Sequence, residues 1–336
     1  MKSDYKDESR RSTPWDEAEN RTPSQGFIKK HHIRHYQEKH KPLSESEEAE
    51  MINSKVPDCC PYCRSNDFKK AGFSSNGIQM YRCSGCGRKF TVLSGTIFDS
   101  HKLSIGEWIE YLFNLFSYMS LNADSWNNKN AFTTSRYWLQ KVFMLVEEYQ
   151  KSIILEGDVI LDETFYSVRT DEIEKKPDGM KYRGLSRNQI CIGVACDRNH
   201  VFCVLEGYGK PSKSKSFEAF RDHIKPGSIL IHDKEGAHSK LVDELLLESK
   251  AYSSAFLKRL PDKDNPLAKV NRLHFFLKRF FYAHTSFKRE EIGNFINLFS
   301  FVMNPPSNKL EKVDILINLG LTCTRKLRFR DFYRVN

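Results

Sequence analysis
The sequence predicts a multidomain chain of the α+β class, and three observations predict it. Four cysteines fall in two C-x-x-C pairs, apolar residues recur at helical spacing from about residue 103 to 150, and beyond residue 155 the pattern changes to alternating and continuous β runs. A chain of 336 residues exceeds what one core usually fills, and 39% hydrophobic content is enough to bury a core in its larger part. Lys plus Arg outnumber Asp plus Glu by 53 to 43, a formal charge of +10 that suits a polyanion, with nucleic acid the leading partner. No apolar run approaches the roughly 18 residues that span a bilayer, and "MKSDYKDESRRSTPWDEAEN" has no apolar signal core. No membrane is therefore expected, and a cytoplasmic, nucleoid-associated location is.

Residues 1–42 are polar, mixed in charge and without apolar period, and read as a disordered basic arm. The cluster His31, His32, His35 and His40 fits a solvated arm near DNA better than a metal site. Residues 43–98 form the next module. "SESEEAEMINSK" reads as a short helix that Ser44 caps, with Glu47 completing a capping box. Cys60 with Cys63 and Cys83 with Cys86 then form two knuckles separated by 19 residues, the spacing of a four-thiolate zinc ribbon. Nine cysteines in a long chain of this kind point to metal binding before disulfides. Gly85 and Gly87 permit turns that aim backbone N–H groups at sulfur, and Tyr81 and Phe90 cover a mini-core too small to fold without structural Zn2+. Cys59 reads as a spare thiol.

Residues 99–152 carry two or three helices, from "LSIGEWIEYLFNLFSYMSL" to "TTSRYWLQKVFMLVEEYQ", with turn-prone "NADSWNNKN" between. The last helix, opened by Thr133 or Thr134, bears Arg136, Tyr137 and Lys141. It is the candidate recognition helix of a helix-turn-helix-like DNA-binding segment.

From 153 to 305, "DVILDETFYSV", "QICIGVACDR", "HVFCVLEGYG", "GSILIHD" and "YSSAFL" read as five strands. Helical patterns fall at "SKSFEAFRDHI", "AHSKLVDELLLES" and "LAKVNRLHFFLKRFFYAH". The order β-β-β-α-β-α-β-α matches a ribonuclease H-like mixed α/β core better than a doubly wound fold, which would alternate from the start and open on a glycine-rich turn. "GYGKPSKSK" after the third strand is read as a loop able to touch phosphate. Residues 306–336 read as a C-terminal basic tail.

"VILDETFY" puts Asp162 and Glu163 inside a largely apolar strand, where an ionised carboxylate costs several kcal/mol unless something compensates it. In a ribonuclease H-like sheet the first and fourth strands are neighbours, so Asp162 and Asp233 would converge. Convergence is repulsive unless a divalent cation lies between the groups, and hard oxygen donors select Mg2+ or Mn2+. Alternation along the strand leaves the choice between Asp162 and Glu163 open, because each has apolar company on its own face.

The zinc ribbon, "FTVLSGTIFDSHKLSIGEW", the helical segment, "LDETFY", "IHDKEGAH" and "VNRLHFFLKRFF" together resemble bacterial insertion-sequence transposases of the ISXO-like group, over residues 45–305. The resemblance implies a retroviral integrase-like core that cuts and joins DNA at transposon ends, using an Asp-Asp-Glu or Asp-Asp-Asn triad and a lysine. It places the triad on Asp162, Asp233 and Asn271, with Mg2+ or Mn2+ held there, and the lysine on Lys278. It further implies double-stranded terminal repeats and target DNA as partners, and a homo-oligomer on DNA. Spacing accords with the last placement: Asn271, His274 and Lys278 share a helix face, an Asn carbonyl can ligate metal, and Lys278 can meet a DNA phosphate. Glu235 and His274 stand as substitute ligands. The rival readings are a non-catalytic DNA-binding regulator derived from such an element, and a metal-dependent nuclease without strand transfer.

Overall fold
The computed structural model describes residues 22–24, 26–27, 30, 45–99, 104–128, 130–168, 170–234, 236–284 and 289–334. His31, His32, His35, His40 and Glu235 lie outside the described residues. The chain divides into two units, one of residues 1–141 with 313–336 and the other of 142–312. Among the described residues no helix is long and apolar enough to cross a membrane.

In the first unit, helix α1 (Glu45–Asn53) precedes an antiparallel sheet of β1 (Phe68–Phe73), β2 (Gln79–Cys83) and β3 (Lys89–Phe90). Helices α2 (Ile105–Phe116), α3 (Leu121–Asn127) and α4 (Phe132–Lys151) follow, the residues of α4 from Val142 onward belonging to the second unit. Ser104 and Ser120 cap α2 and α3, their hydroxyls accepting from Glu107 N and Ala123 N at 3.2 Å. Glu48 on α1 adds a second cap, accepting from Ile105 N at 3.1 Å, where its charge also favours the helix N-terminus. One buried carboxylate ties the three later helices together. Asp124 accepts from Asn114 Nδ2 (2.9 Å), Asn128 Nδ2 (2.7 Å) and Ser135 Oγ (2.7 Å), while burial pushes its pKa up to about 6 against those donors.

The segment expected as a basic tail instead carries α10 (Lys309–Thr322) and α11 (Phe329–Arg334). Val313, Leu316, Ile317 and Leu321 recur at helical spacing and are buried, which explains the difference. Gly320 lets α10 approach closely, since a Cβ there would stand 2.7 Å from the Phe98 ring.

The second unit is a five-stranded mixed sheet in the order β6-β5-β4-β7-β8. Its strands are β4 (Asp158–Ser167), β5 (Gln189–Cys196), β6 (Val201–Tyr208), β7 (Ile229–Asp233) and β8 (Glu248–Tyr252). β4, β5 and β6 pair antiparallel, whereas β7 runs parallel to both β4 and β8. Helices cover both faces. Val159 and Leu161 of β4 join Phe220 of α5 (Lys213–Phe220) and Leu241 of α6 (Ser239–Glu244) in one core cluster. On the other face, Tyr166 packs against Phe281 of α8 (Ala268–Ala283), with ring centroids 4.8 Å apart. Helix α9 (Ile292–Met303) packs on β6, where Ser300 Oγ donates to Val201 O at 2.9 Å.

The last strand differs from expectation. The strand expected at 252–257 is β8, five-residue Glu248–Tyr252, followed by the short helix α7 (Ser254–Leu257) that Ser253 caps. Helix α6 ends at Glu244 instead of continuing through residue 249, because Leu246 turns the chain at φ 53° and Leu247 enters the core. β8 is an edge strand with four of its five residues exposed, so it carries no apolar alternation for the sequence to display.

Candidate metal and catalytic sites
The four cysteines of the ribbon converge. Cys60 Sγ lies 3.7 Å from Cys86 Sγ and Cys63 Sγ lies 3.5 Å from Cys83 Sγ, with one sulfur of each residue within 4.8 Å of all the others. Four sulfurs each ~2.3 Å from a tetrahedral zinc would be about 3.8 Å apart, so the donor set fits zinc. Backbone turns aim the knuckles: Arg64 N donates to Cys60 O and Gly87 N to Cys83 O, with Arg64 and Gly87 at φ 63° and 69°. The N–H of Cys86 leads in holding the Cys83 thiol down at about 7. Phe68, Tyr81 and Phe90 pack within 5.4–5.7 Å of one another beneath the sulfurs. Cys59 stands outside the cluster, 4.0 Å from an Arg64 nitrogen.

The second donor cluster lies where β7 stops and β4 continues. Leu161 is level with His232, so Asp233, the last residue of β7, comes level with Asp162. Beyond that point the sheet is notched, and carboxylates from both faces of β4 reach the notch. Oxygens of Asp162, Glu163 and Asp233 lie within 4.8 Å of one another, so the choice between Asp162 and Glu163 that alternation leaves open dissolves. Burial, then the charges of Asp233 and Glu163, push Asp162 up to about 7. Three hard oxygen donors held this close fit Mg2+ or Mn2+.

Glu163 has a second attachment that the sequence reading missed. Its Oε1 accepts from His238 Nε2 at 2.7 Å, and both side chains are buried, at 5% and 0% exposure. His238 Nδ1 is 2.9 Å from His232 Nδ1, and His232 Nε2 is 3.0 Å from Ser249 Oγ. Burial pulls His238 down, yet the hydrogen bond and charge of Glu163, with Asp233 and Glu206, hold it above its ordinary value. Burial and the His238 charge lower His232 to about 4. The chain is satisfied when His238 is the cation, donating to Glu163 and to a neutral His232 that donates onward to Ser249. Glu206 of β6 lies on the same side, pushed up to about 8 by burial and then by the Glu163 charge. Gly193 makes room for it: a Cβ there would strike Glu206 Oε1 and stand 2.6 Å from Phe220 Cζ. The histidines in "IHDKEGAH" were visible as residue types, but no spacing rule joins them to Glu163.

On α8 the residue beside Asp162 is His274, whose Nδ1 is 4.0 Å from Asp162 Oδ2. Burial lowers His274 to about 4, and its Nε2 is buried without a hydrogen-bond partner. Asn271, a helical turn earlier, is exposed, and so is Lys278. Of the three α8 residues expected at the site, His274 is the one with a contact to Asp162 among the described residues, whereas Asn271 and Lys278 are exposed on the same helix.

The expected DNA-contacting residues of α4 divide differently. Arg136 is half-buried. Lys141 is 0% exposed, donates to Ile97 O and lies 4.6 Å from the Tyr137 ring centroid; burial lowers it to about 8. Tyr137 is 8% exposed and donates to Leu327 O at 2.6 Å. The expectation that Tyr137 and Lys141 meet DNA is thus corrected: both side chains point into their own unit, and amphipathic spacing could not say which face of α4 is covered.

No family model matches the chain, and no curated protein matches it. Among solved structures it is similar to a chain of the simian T-cell lymphotropic virus intasome in complex with PP2A regulatory subunit B56 gamma, at 9% identity over 58% of this chain and 68% of that one, with TM-score 0.29. It is also similar to the Mos1 strand transfer complex, at 11% identity over 63% and 78% of the two chains with TM-score 0.23. A pre-cleavage Mos1 transpososome matches at 9% identity over 62% and 78%, with TM-score 0.22. At such values the likeness assigns no function.

Proposed function
We propose that this chain is a DNA transposase of the insertion-sequence type, related to the ISXO-like group. The observation that carries the reading is the approach of Asp162, Glu163 and Asp233 to within 4.8 Å at the notch between two parallel strands. The sheet order β6-β5-β4-β7-β8 supports a ribonuclease H-like core, since it brings the first and fourth strands of the unit together.

Asp162 and Asp233 would hold Mg2+ or Mn2+, with Glu163 anchored beside them by His238. A divalent cation bound there supplies activation of the attacking oxygen and neutralises charge at the phosphodiester. The protein's own groups do the rest. His238 keeps Glu163 in place, and Asn271 and His274 offer neutral donors from α8. Lys278, exposed one turn beyond His274, meets a phosphate of the DNA end as a point charge. The zinc ribbon and the helical segment, with Arg136 as its remaining DNA-contact candidate, would recognise the terminal inverted repeats. Assembly as a homo-oligomer would pair two ends.

The test is cleavage and joining of DNA bearing the element's ends across a Mn2+ and Mg2+ titration. The wild-type chain should cut and join, and Asp162→Asn or Asp233→Asn should abolish both while sparing fold and DNA binding. Cutting without joining would make it a nuclease, and binding without cutting would make it a regulator. Asn271→Ala and His274→Ala, run side by side, identify the donor that α8 contributes: the one that shifts the cation requirement upward.

A further inference from the structure
The outer face of α8 alternates cation and aromatic ring. Arg272, Phe275, Arg279 and Tyr282 follow at intervals of three, four and three residues, so they form one stripe about 15 Å long, with Lys278 beside it. Phe275 is 55% exposed and Tyr282 73%. The Arg279 guanidinium lies 5.5 Å from the Phe275 ring centroid. The 16 residues of α8 include no carboxylate, and among the described residues none pairs with Arg272, Lys278 or Arg279.

Four occupants can be compared. A second copy of this face would set its cations against one another, and an apolar protein surface would desolvate them without a partner. Duplex DNA offers phosphates but keeps its base faces stacked inside. A single strand offers both phosphates for the cations and π faces for the rings. Resting on the DNA-cutting reading for the choice of polymer, we infer that the Arg272–Phe275–Arg279–Tyr282 stripe is a stacking platform for unpaired DNA bases, on the helix whose His274 stands beside Asp162. Its length suits about four stacked nucleotides at ~3.4 Å each.

The test uses the full chain with a fluorescein-labelled single strand of about 20 thymidines, a duplex of equal length, and a single strand carrying 2-aminopurine to report stacking. Both rings are exposed, so their truncation leaves the core intact. Phe275→Ala/Tyr282→Ala should weaken single-strand binding about tenfold or more, abolish the 2-aminopurine quenching and leave duplex affinity within about twofold. Phe275→Trp/Tyr282→Phe should retain wild-type affinity. Equal single-strand affinity of wild type and the alanine variant overturns the inference. So does a wild-type chain that binds duplex but no single strand, or an alanine variant whose only change is lost self-association. A chain that stacks the single strand yet cuts no DNA with either cation leaves the platform standing and sinks the transposase reading. A chain that cuts ends while the alanine variant still stacks the single strand does the reverse.

Discussion

Removing the charge of Asp162 and that of Glu163, neighbours on β4, should move stability in opposite directions. Without Mg2+ or Mn2+, Asp162 faces two carboxylates, so Asp162→Asn relieves repulsion and should stabilise the protein at pH 7 by about 1–3 kcal/mol. Glu163 holds the buried His238, so Glu163→Gln strips a buried cation of its partner and should cost about 3 kcal/mol. The pH sign follows from the raised Asp162 value of about 7. Its contribution to stability is full below the unfolded value near pH ~4 and is lost as pH rises through about 7, and Asp162→Asn should flatten that slope. Thermal melts of the zinc-loaded chain in buffer without Mg2+ or Mn2+ from pH 4 to 8 measure both effects. Glu163→Gln as stable as wild type would refute the pairing of His238 with Glu163, and a destabilised Asp162→Asn would refute the repulsion at Asp162. At this scale the sequence displayed the misfit of two carboxylates in an apolar strand, which announces a site; it was silent on the histidine chain, because His238 and Glu163 are 75 residues apart.

Among the elements, the ribbon was the most legible and the edge strand the least. Its ligand spacing is a local property, and four sulfurs reached one point as the two C-x-x-C pairs required. Cys83→Ser should release the zinc and melt β1 to β3 while residues 142–312 stay folded, since structural zinc supplies roughly 10–16 kcal/mol in small domains. Zinc stoichiometry and hydrogen exchange resolved along the chain check this; retained zinc with a protected ribbon would exclude the four-thiolate assignment. Helix α10 was missed: the segment was expected as a basic tail because charged neighbours masked the period of Val313, Leu316, Ile317 and Leu321, which are buried. β8 offered no signal at all, because a strand with most residues exposed is held by its backbone pairing to β7.

For the whole molecule, a charge of +10 suits the proposed DNA binding, which should weaken steeply with salt, by about 0.9 in log–log slope for each phosphate contacted. Lys141→Met should leave both affinity and slope unchanged, since that side chain is buried, whereas Lys278→Met should reduce the slope by about one contact. Lys141 also carries a stability signature: folded near 8 and unfolded near ~10.4, it contributes stability above the unfolded value that is lost as pH falls through about 8. Melts of wild type and Lys141→Met between pH 7 and 10 should therefore converge at the alkaline end. Spacing and period alone specified the four-cysteine cluster, the change from helical to β organisation and the strands bearing Asp162 and Asp233, because each is written within a few consecutive residues. Contacts across the fold settled that Glu163 approaches Asp162 and Asp233, that His274 lies 4.0 Å from Asp162, and that Lys141 turns inward. Those outcomes depend on where a neighbouring strand ends and which helix face is covered, and no local pattern encodes either.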